Sequence, residues 1–116
     1  MLRGEPGGEK VAEMLDQSAI TTVNLGEVIG FYARRGIPEA EIRNLVGPLP
    51  VERHDFDEAL AYAVGLLLPA TMPAGLSFGD RACLALAQRL GIRVLTGDRA
   101  WLRIADAIGV EIELIR

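Results

Sequence analysis

The run Ile92-Arg93-Val94-Leu95-Thr96-Gly97-Asp98-Arg99-Ala100-Trp101 narrows the choice of fold more than any other stretch. An aliphatic, β-branched segment ends in Thr-Gly-Asp, and a helical pattern begins at once. A strand feeding directly into a helix is the unit of a parallel α/β sheet. Gly97 permits the sharp turn. Asp98 then falls just beyond the carboxyl end of the strand, where strand ends and helix N-termini open onto a common crevice. Asp is also a favoured N-cap, so position alone leaves two roles open for Asp98, helix capping and site chemistry.

The rest of the chain repeats this alternation. Glu9–Leu15 has helical spacing, and Ala19–Val23 reads as a strand. Asn24 is placed to cap a helix over Leu25–Arg35, which Gly36 stops. Pro38 opens a helix over Glu39–Val46, and Val51–His54 is a short strand. Asp55 or Asp57 caps a helix to Leu68, and Pro69–Leu76 reads as a loop. Ser77 opens a helix ending at Leu90, closed by Gly91. The strand before Asp98 follows, then a helix over Arg99–Ile108 and a last strand over Glu111–Leu114. Strands alternating with helices predict a mainly parallel sheet flanked by helices.

Within 116 residues, enough for one domain with a real core, three acids stand out. Glu27 is the only charge in Leu25–Ala33, a stretch apolar around most of a helix and therefore expected to be largely buried. A carboxylate there needs an Arg such as Arg34, hydrogen-bond donors, the helix dipole or a metal. Asp80 follows Ser77 at capping-box spacing, yet it also crowns the helical face that carries Cys83, Leu84 and Ala87. Asp98 is the third. Clustered carboxylates raise one another's pKa unless a cation neutralises them. The matching cation is hard and oxygen-liking, Mg²⁺ or Mn²⁺, which can activate water and stabilise charge on a phosphodiester.

Other chemistries lack their residues. His54 has no second His or Cys at ligand spacing and reads as a surface or strand-end residue. Cys83, the one cysteine, sits in an Ala/Leu-rich helical run and reads as a core residue. There is no phosphate-binding glycine motif and no nucleophile elbow. The formal net charge is −4, so no global basic field draws in nucleic acid, although all the basic residues but Lys10 are arginines suited to phosphate. With no apolar run of membrane length and no signal segment, a cytoplasmic protein is expected.

Taken together, Ile20–Val28, Leu76–Ala87 and Val94–Trp101 resemble the PIN-domain family, and within it the VapC-type toxins of bacterial type II toxin–antitoxin modules. The resemblance covers nearly the whole chain, including the Gly-Glu-Pro-Gly stub near its start. It implies a three-layer α/β fold with a mainly parallel central sheet. It also implies a Mg²⁺- or Mn²⁺-dependent endoribonuclease that acts on RNA, dimerises with a second copy and is restrained by a cognate antitoxin. Glu27, Asp80 and Asp98 match three of the family's acidic catalytic and metal-binding positions, with Thr96 and Asn24 as supporting candidates. The family's first strand carries a further acid in an Asp-Ala-Ser/Thr-like motif. This chain starts after it, so the resemblance implies one PIN-like domain over residues 1–116 with that strand and acid absent.

Two other readings stay open. One is a non-catalytic PIN-like module that binds an antitoxin or another protein. The other is a metal-dependent phosphohydrolase on an unrelated α/β scaffold, which would cleave small phosphoesters but not RNA.

Overall fold

The computed structural model describes residues 18–115. The helix expected over Glu9–Leu15, and the N-terminal stub before it, lie outside the described residues. The chain enters through a short strand, β1 (Ala19–Thr21), and passes directly into helix α1 (Thr22–Arg34). Helix α2 (Glu39–Val46) follows, then strand β2 (Glu52–His54) and helix α3 (Glu58–Leu66). A one-turn helix α4 (Leu68–Thr71) leads through a 3₁₀ turn (Met72–Ala74) to the central helix α5 (Phe78–Leu90). Strand β3 (Val94–Thr96), a second 3₁₀ turn (Arg99–Arg103), α6 (Ala105–Ile108) and strand β4 (Ile112–Leu114) complete the mixed α/β fold.

The strands form two parallel pairs. β1 lies beside β2 with Ala19 opposite Glu52 and Thr21 opposite His54. β3 lies beside β4 with Val94 opposite Ile112 and Thr96 opposite Leu114. Among the described residues the pairs are not hydrogen-bonded to one another. Strands of three residues offer few ladder bonds, so helix packing must tie the pairs together, and α5 does this by touching both β1 and β3.

Local chemistry accounts for most boundaries. Pro38 precedes α2, Asp57 caps α3 by accepting the Leu60 N–H, and Ser77 caps α5 by accepting the Asp80 N–H. Gly91 ends α5 in the left-handed conformation, φ 66°. The segment expected as a loop after Leu68 instead contains α4 and a 3₁₀ turn. Each has a proline in its first turn, where the missing N–H is harmless. The segment expected as one helix over Arg99–Ile108 is divided. Trp101, Ile104 and Ile108 are all buried; the three-residue step suits 3₁₀ geometry and the four-residue step an α turn.

The core lies between α3, α5, β3 and the C-terminal segment. Leu60 and Val64 of α3 meet Ala82, Leu84 and Ala85 of α5, each 1% exposed or less, and Val94, Trp101 and Ile104 close the cluster. Helix α1 departs from expectation, for none of its residues is buried. It rests on β1, α2 and α5 along one side, and its remaining apolar side chains, Ile29 and Phe31 among them, face outward. Among the described residues no helix is long and apolar enough to cross a membrane.

One ion pair joins the start of α3 to the end of α5. The Arg89 guanidinium forks onto both oxygens of Asp57, at 2.9 and 3.2 Å. That hydrogen-bonded fork, then the Leu60 N–H, hold the Asp57 carboxyl down at about 2 against an ordinary 3.8. A depressed folded-state value stabilises the fold above the unfolded value and is lost as pH falls through the folded one. Asp57→Asn keeps the cap but loses the fork. We expect the melting temperature of the wild type to fall more steeply than that of Asp57→Asn between pH 3.8 and about 2. Thermal melts at stepped pH check this, and parallel curves would refute it.

Candidate active site

Two of the three expected acids come together at the N-terminus of α5. The first contact in this corner is made by Thr21, wholly buried at the end of β1. Its hydroxyl accepts the Asn24 N–H at 3.1 Å, so Thr21, not Asn24, caps α1. The same hydroxyl donates to Asn24 Oδ1 at 2.8 Å. The Asn24 amide then donates in two directions, to Glu27 Oε1 at 3.1 Å and to the Gly79 carbonyl at 2.9 Å. Asn24 is thus a bridge between α1 and α5. Its carboxamide has one acceptor and two donors to place, and the corner uses both kinds.

Gly79 makes this approach possible. It is buried in the first turn of α5, and the Glu27 carboxylate lies directly against its Cα. A Cβ at Gly79 would collide with the Glu27 carboxylate. Glu27 is solvent-exposed, so the buried, charge-starved acid expected from the apolar sequence around it is not what forms. It sits instead at the positive end of a 13-residue helix, a favourable place for a carboxylate.

Asp80 follows Gly79 and closes a capping box. Its Oδ2 accepts the Ser77 N–H at 3.0 Å while the Ser77 hydroxyl accepts the Asp80 N–H at 3.1 Å. Among the described residues, Glu27 Oε2 and Asp80 Oδ1 accept no hydrogen bond, so each acid keeps one oxygen free for another partner. Beneath them, one turn along α5, is Cys83. Burial pushes its thiol up to about 11, and the charges of Asp80 and then Glu27 push the same way. The metal-free chain therefore keeps this thiol protonated at neutral pH. What remains is a set of hard oxygens, whose chemistry fits Mg²⁺ or Mn²⁺ better than zinc. Among the described residues no three His, Cys, Asp or Glu side chains are grouped to hold a metal ion.

Asp98 lies beyond the carboxyl end of β3, as its sequence position implied. Its Oδ1 accepts the Ala100 N–H at 2.9 Å, capping the 3₁₀ turn. Its own N–H donates to the hydroxyl of Thr96 at 3.1 Å. Thr96, 9% exposed, thereby fixes the backbone that presents Asp98. The structure joins Glu27 and Asp80 through Gly79 and gives Asp98 separate partners. His54, expected at a surface or strand end, is the last residue of β2 and pairs with Glu52 on the same strand.

Thr21 and Gly79 were missed by sequence reasoning. The signal for Thr21 was the Thr-x-x-Asn spacing, which places a hydroxyl three residues before an N–H. For Gly79 it was a glycine inside the first turn of a helix, where helix propensity alone disfavours it. The clash at Gly79 is with the far end of a flexible, exposed side chain. We therefore expect Gly79→Ala to melt at or above the wild-type temperature, gaining up to about 1 kcal/mol of helix preference, while displacing the Glu27 carboxylate. Thermal denaturation with the carboxyl NMR resonance of Glu27 tests both parts. Destabilisation with an unmoved Glu27 resonance would show that the backbone, and not the carboxylate, yields.

No curated relative matches the chain. A family model described as the PIN domain matches residues 1–107. That span includes β1 to β3 and the elements that carry Glu27, Asp80 and Asp98. Family members are nucleases in general and use divalent metals. The match covers far more than half of the sequence, and the chain belongs to the PIN-domain family.

Proposed function

We propose that the chain is a Mg²⁺- or Mn²⁺-dependent endoribonuclease that hydrolyses RNA phosphodiesters, acts as a homodimer and serves as the toxin of a VapC-type toxin–antitoxin module. The observation that carries the nuclease reading is the placement of Glu27 against Gly79, next to Asp80, at the α5 N-terminus, each acid having one oxygen that accepts no hydrogen bond among the described residues. Family membership supports it. Asp80 and Glu27 would hold the divalent ion, with waters completing its shell. When bound, that ion would activate water and offset charge developing on the phosphodiester.

The chain's own residues prepare this chemistry. Asn24 fixes the Glu27 carboxylate through one amide proton and fastens it to α5 through the other. The α5 N-terminus supplies positive potential beside both acids. Asp98 is the third acid of the proposed site. β3 follows α5 after Gly91 and ends just before Asp98, and ligand sites in such folds lie beyond strand carboxyl ends. Asp98 would add its carboxylate to the site while Oδ1 caps the 3₁₀ turn. The apolar groove of about 620 Å³ between α1 and α2, with Ile29, Ile42 and Val46 in its walls, suits an amphipathic antitoxin segment.

A second reading is a non-catalytic PIN-like module that binds an antitoxin or another protein. It is favoured by the engagement of Asp80 and Asp98 as helix caps.

The deciding experiment incubates the full chain with single-stranded RNA and Mg²⁺ or Mn²⁺. Cleavage is expected, with loss on chelation by EDTA. Glu27→Gln and Asp98→Asn should each lower it by about 10²-fold or more while leaving the circular dichroism spectrum unchanged. Unaltered cleavage in these variants would refute the site, and a wild type inert with either metal would favour the binding module. For the toxin role, expression of the wild type but not of Glu27→Gln should arrest growth of the host cell.

A further inference from the structure

The Glu27 end of the site continues into a second cavity. It holds about 390 Å³ and is lined by Ile20, Asn24, Glu27, Val28, Phe31 and Tyr32. Two of its walls are the proposed metal ligand and the amide that holds it. The others are aliphatic or aromatic. A substrate whose phosphate reached Glu27 would place an adjoining group in this cavity.

The aromatic wall is built in a particular way. Phe31, four residues after Glu27, shares its side of α1 and lies about 6 Å further along the axis. It is 49% exposed although it is a large apolar side chain. Tyr32 meets it edge-on, with centroids 5.4 Å apart and planes at 83°. Arg35, the next position along the same face, lays its guanidinium 3.6 Å from the Phe31 ring centroid. It is pinned there by donating to the Phe31 carbonyl at 3.0 Å. Carboxylate, aromatic ring and guanidinium are thus set in a row on one exposed helix face, with Arg34 beside them.

We infer that Phe31, with Arg35 stacked on it, forms a subsite for an unpaired nucleobase next to the scissile phosphate of single-stranded RNA. This rests on the nuclease reading of Glu27. Unpaired bases are held by stacking on aromatic rings and on guanidinium planes, both present here, while the arginine charge serves the neighbouring phosphate. The chain carries a net charge of −4, so a local cation beside an aromatic ring is what an anionic strand requires at this point. Apolar walls on Ile20 and Val28 suit the face of a base.

The test uses the full chain in EDTA, so that RNA is bound and not cut, and a single-stranded oligoribonucleotide carrying 2-aminopurine. Stacking quenches this base. Wild type should quench it on binding. Phe31→Leu keeps apolar volume and removes the ring; it should lose the quenching and weaken binding about fivefold or more. Phe31→Trp should restore both, and circular dichroism shows whether each variant is folded. Quenching and affinity unchanged in Phe31→Leu would overturn the subsite, as would binding by wild type without quenching. Cleavage of unlabelled RNA with Mg²⁺ or Mn²⁺ is read separately. Phe31-dependent quenching without cleavage would remove the nuclease reading and keep the subsite. Cleavage with binding indifferent to Phe31 would remove the subsite alone, and a wild type that neither binds nor cuts RNA would overturn both.

Discussion

The close packing of α5 is the constraint on which the rest depends. Its sequence, Phe78 to Leu90, places Ala82, Ala85 and Ala87 among Leu84 and Leu86, and all five are buried. Small side chains let α3 and the strands approach its axis, while the leucines fill the space between them. The strands are too short to form a sheet that would stand by itself, and each pair leans on this helix. A bulky residue at Ala82, which has no exposed surface, would push neighbours out of a region packed like a crystal.

The same helix sets the site. Its N-terminus gathers Gly79, which has no side chain to obstruct Glu27, and Asp80, which completes the cap. Stability and site chemistry therefore share one turn of one helix. Ser77 and Asp80 satisfy backbone donors that every helix start leaves unpaired, and in doing so they hold the Asp80 carboxylate at the helix N-terminus. Asn24 binds the Gly79 carbonyl from α1, so the first turn of α5 is fastened from outside as well. Asn24 and the capping box thus orient both acids toward this helix end from two different elements.

The electrostatics are graded by exposure. Cys83, beneath the two acids, is buried enough for its thiol to be driven upward, whereas the acids themselves reach solvent or the capping N–H groups. Arg89 and Asp57 perform a separate task at the other end of α5, where a guanidinium fork joins the last turn of one helix to the cap of another. The proposed ion and the structural ion pair are thus served by opposite ends of the same helix.

What the sequence determined by itself was local. Asp57 and Ser77 as caps, Pro38 before α2, Gly91 after α5 and the strand ending before Asp98 were all legible, because capping and turn chemistry act within a few residues. The family was legible too, from three motifs in order. Tertiary structure decided the rest. Glu27 looked buried because its neighbours in the chain are apolar, but burial depends on what covers a helix, and among the described residues α1 is covered along one side. Asn24 looked like a cap, yet its amide found a carbonyl 55 residues away, a partner that no local pattern encodes. The contact of Glu27 with Gly79 likewise follows from how α5 sits between elements distant in sequence. Contacts across such separations arise from packing, and a one-dimensional pattern carries only the propensities that packing then accepts or overrides.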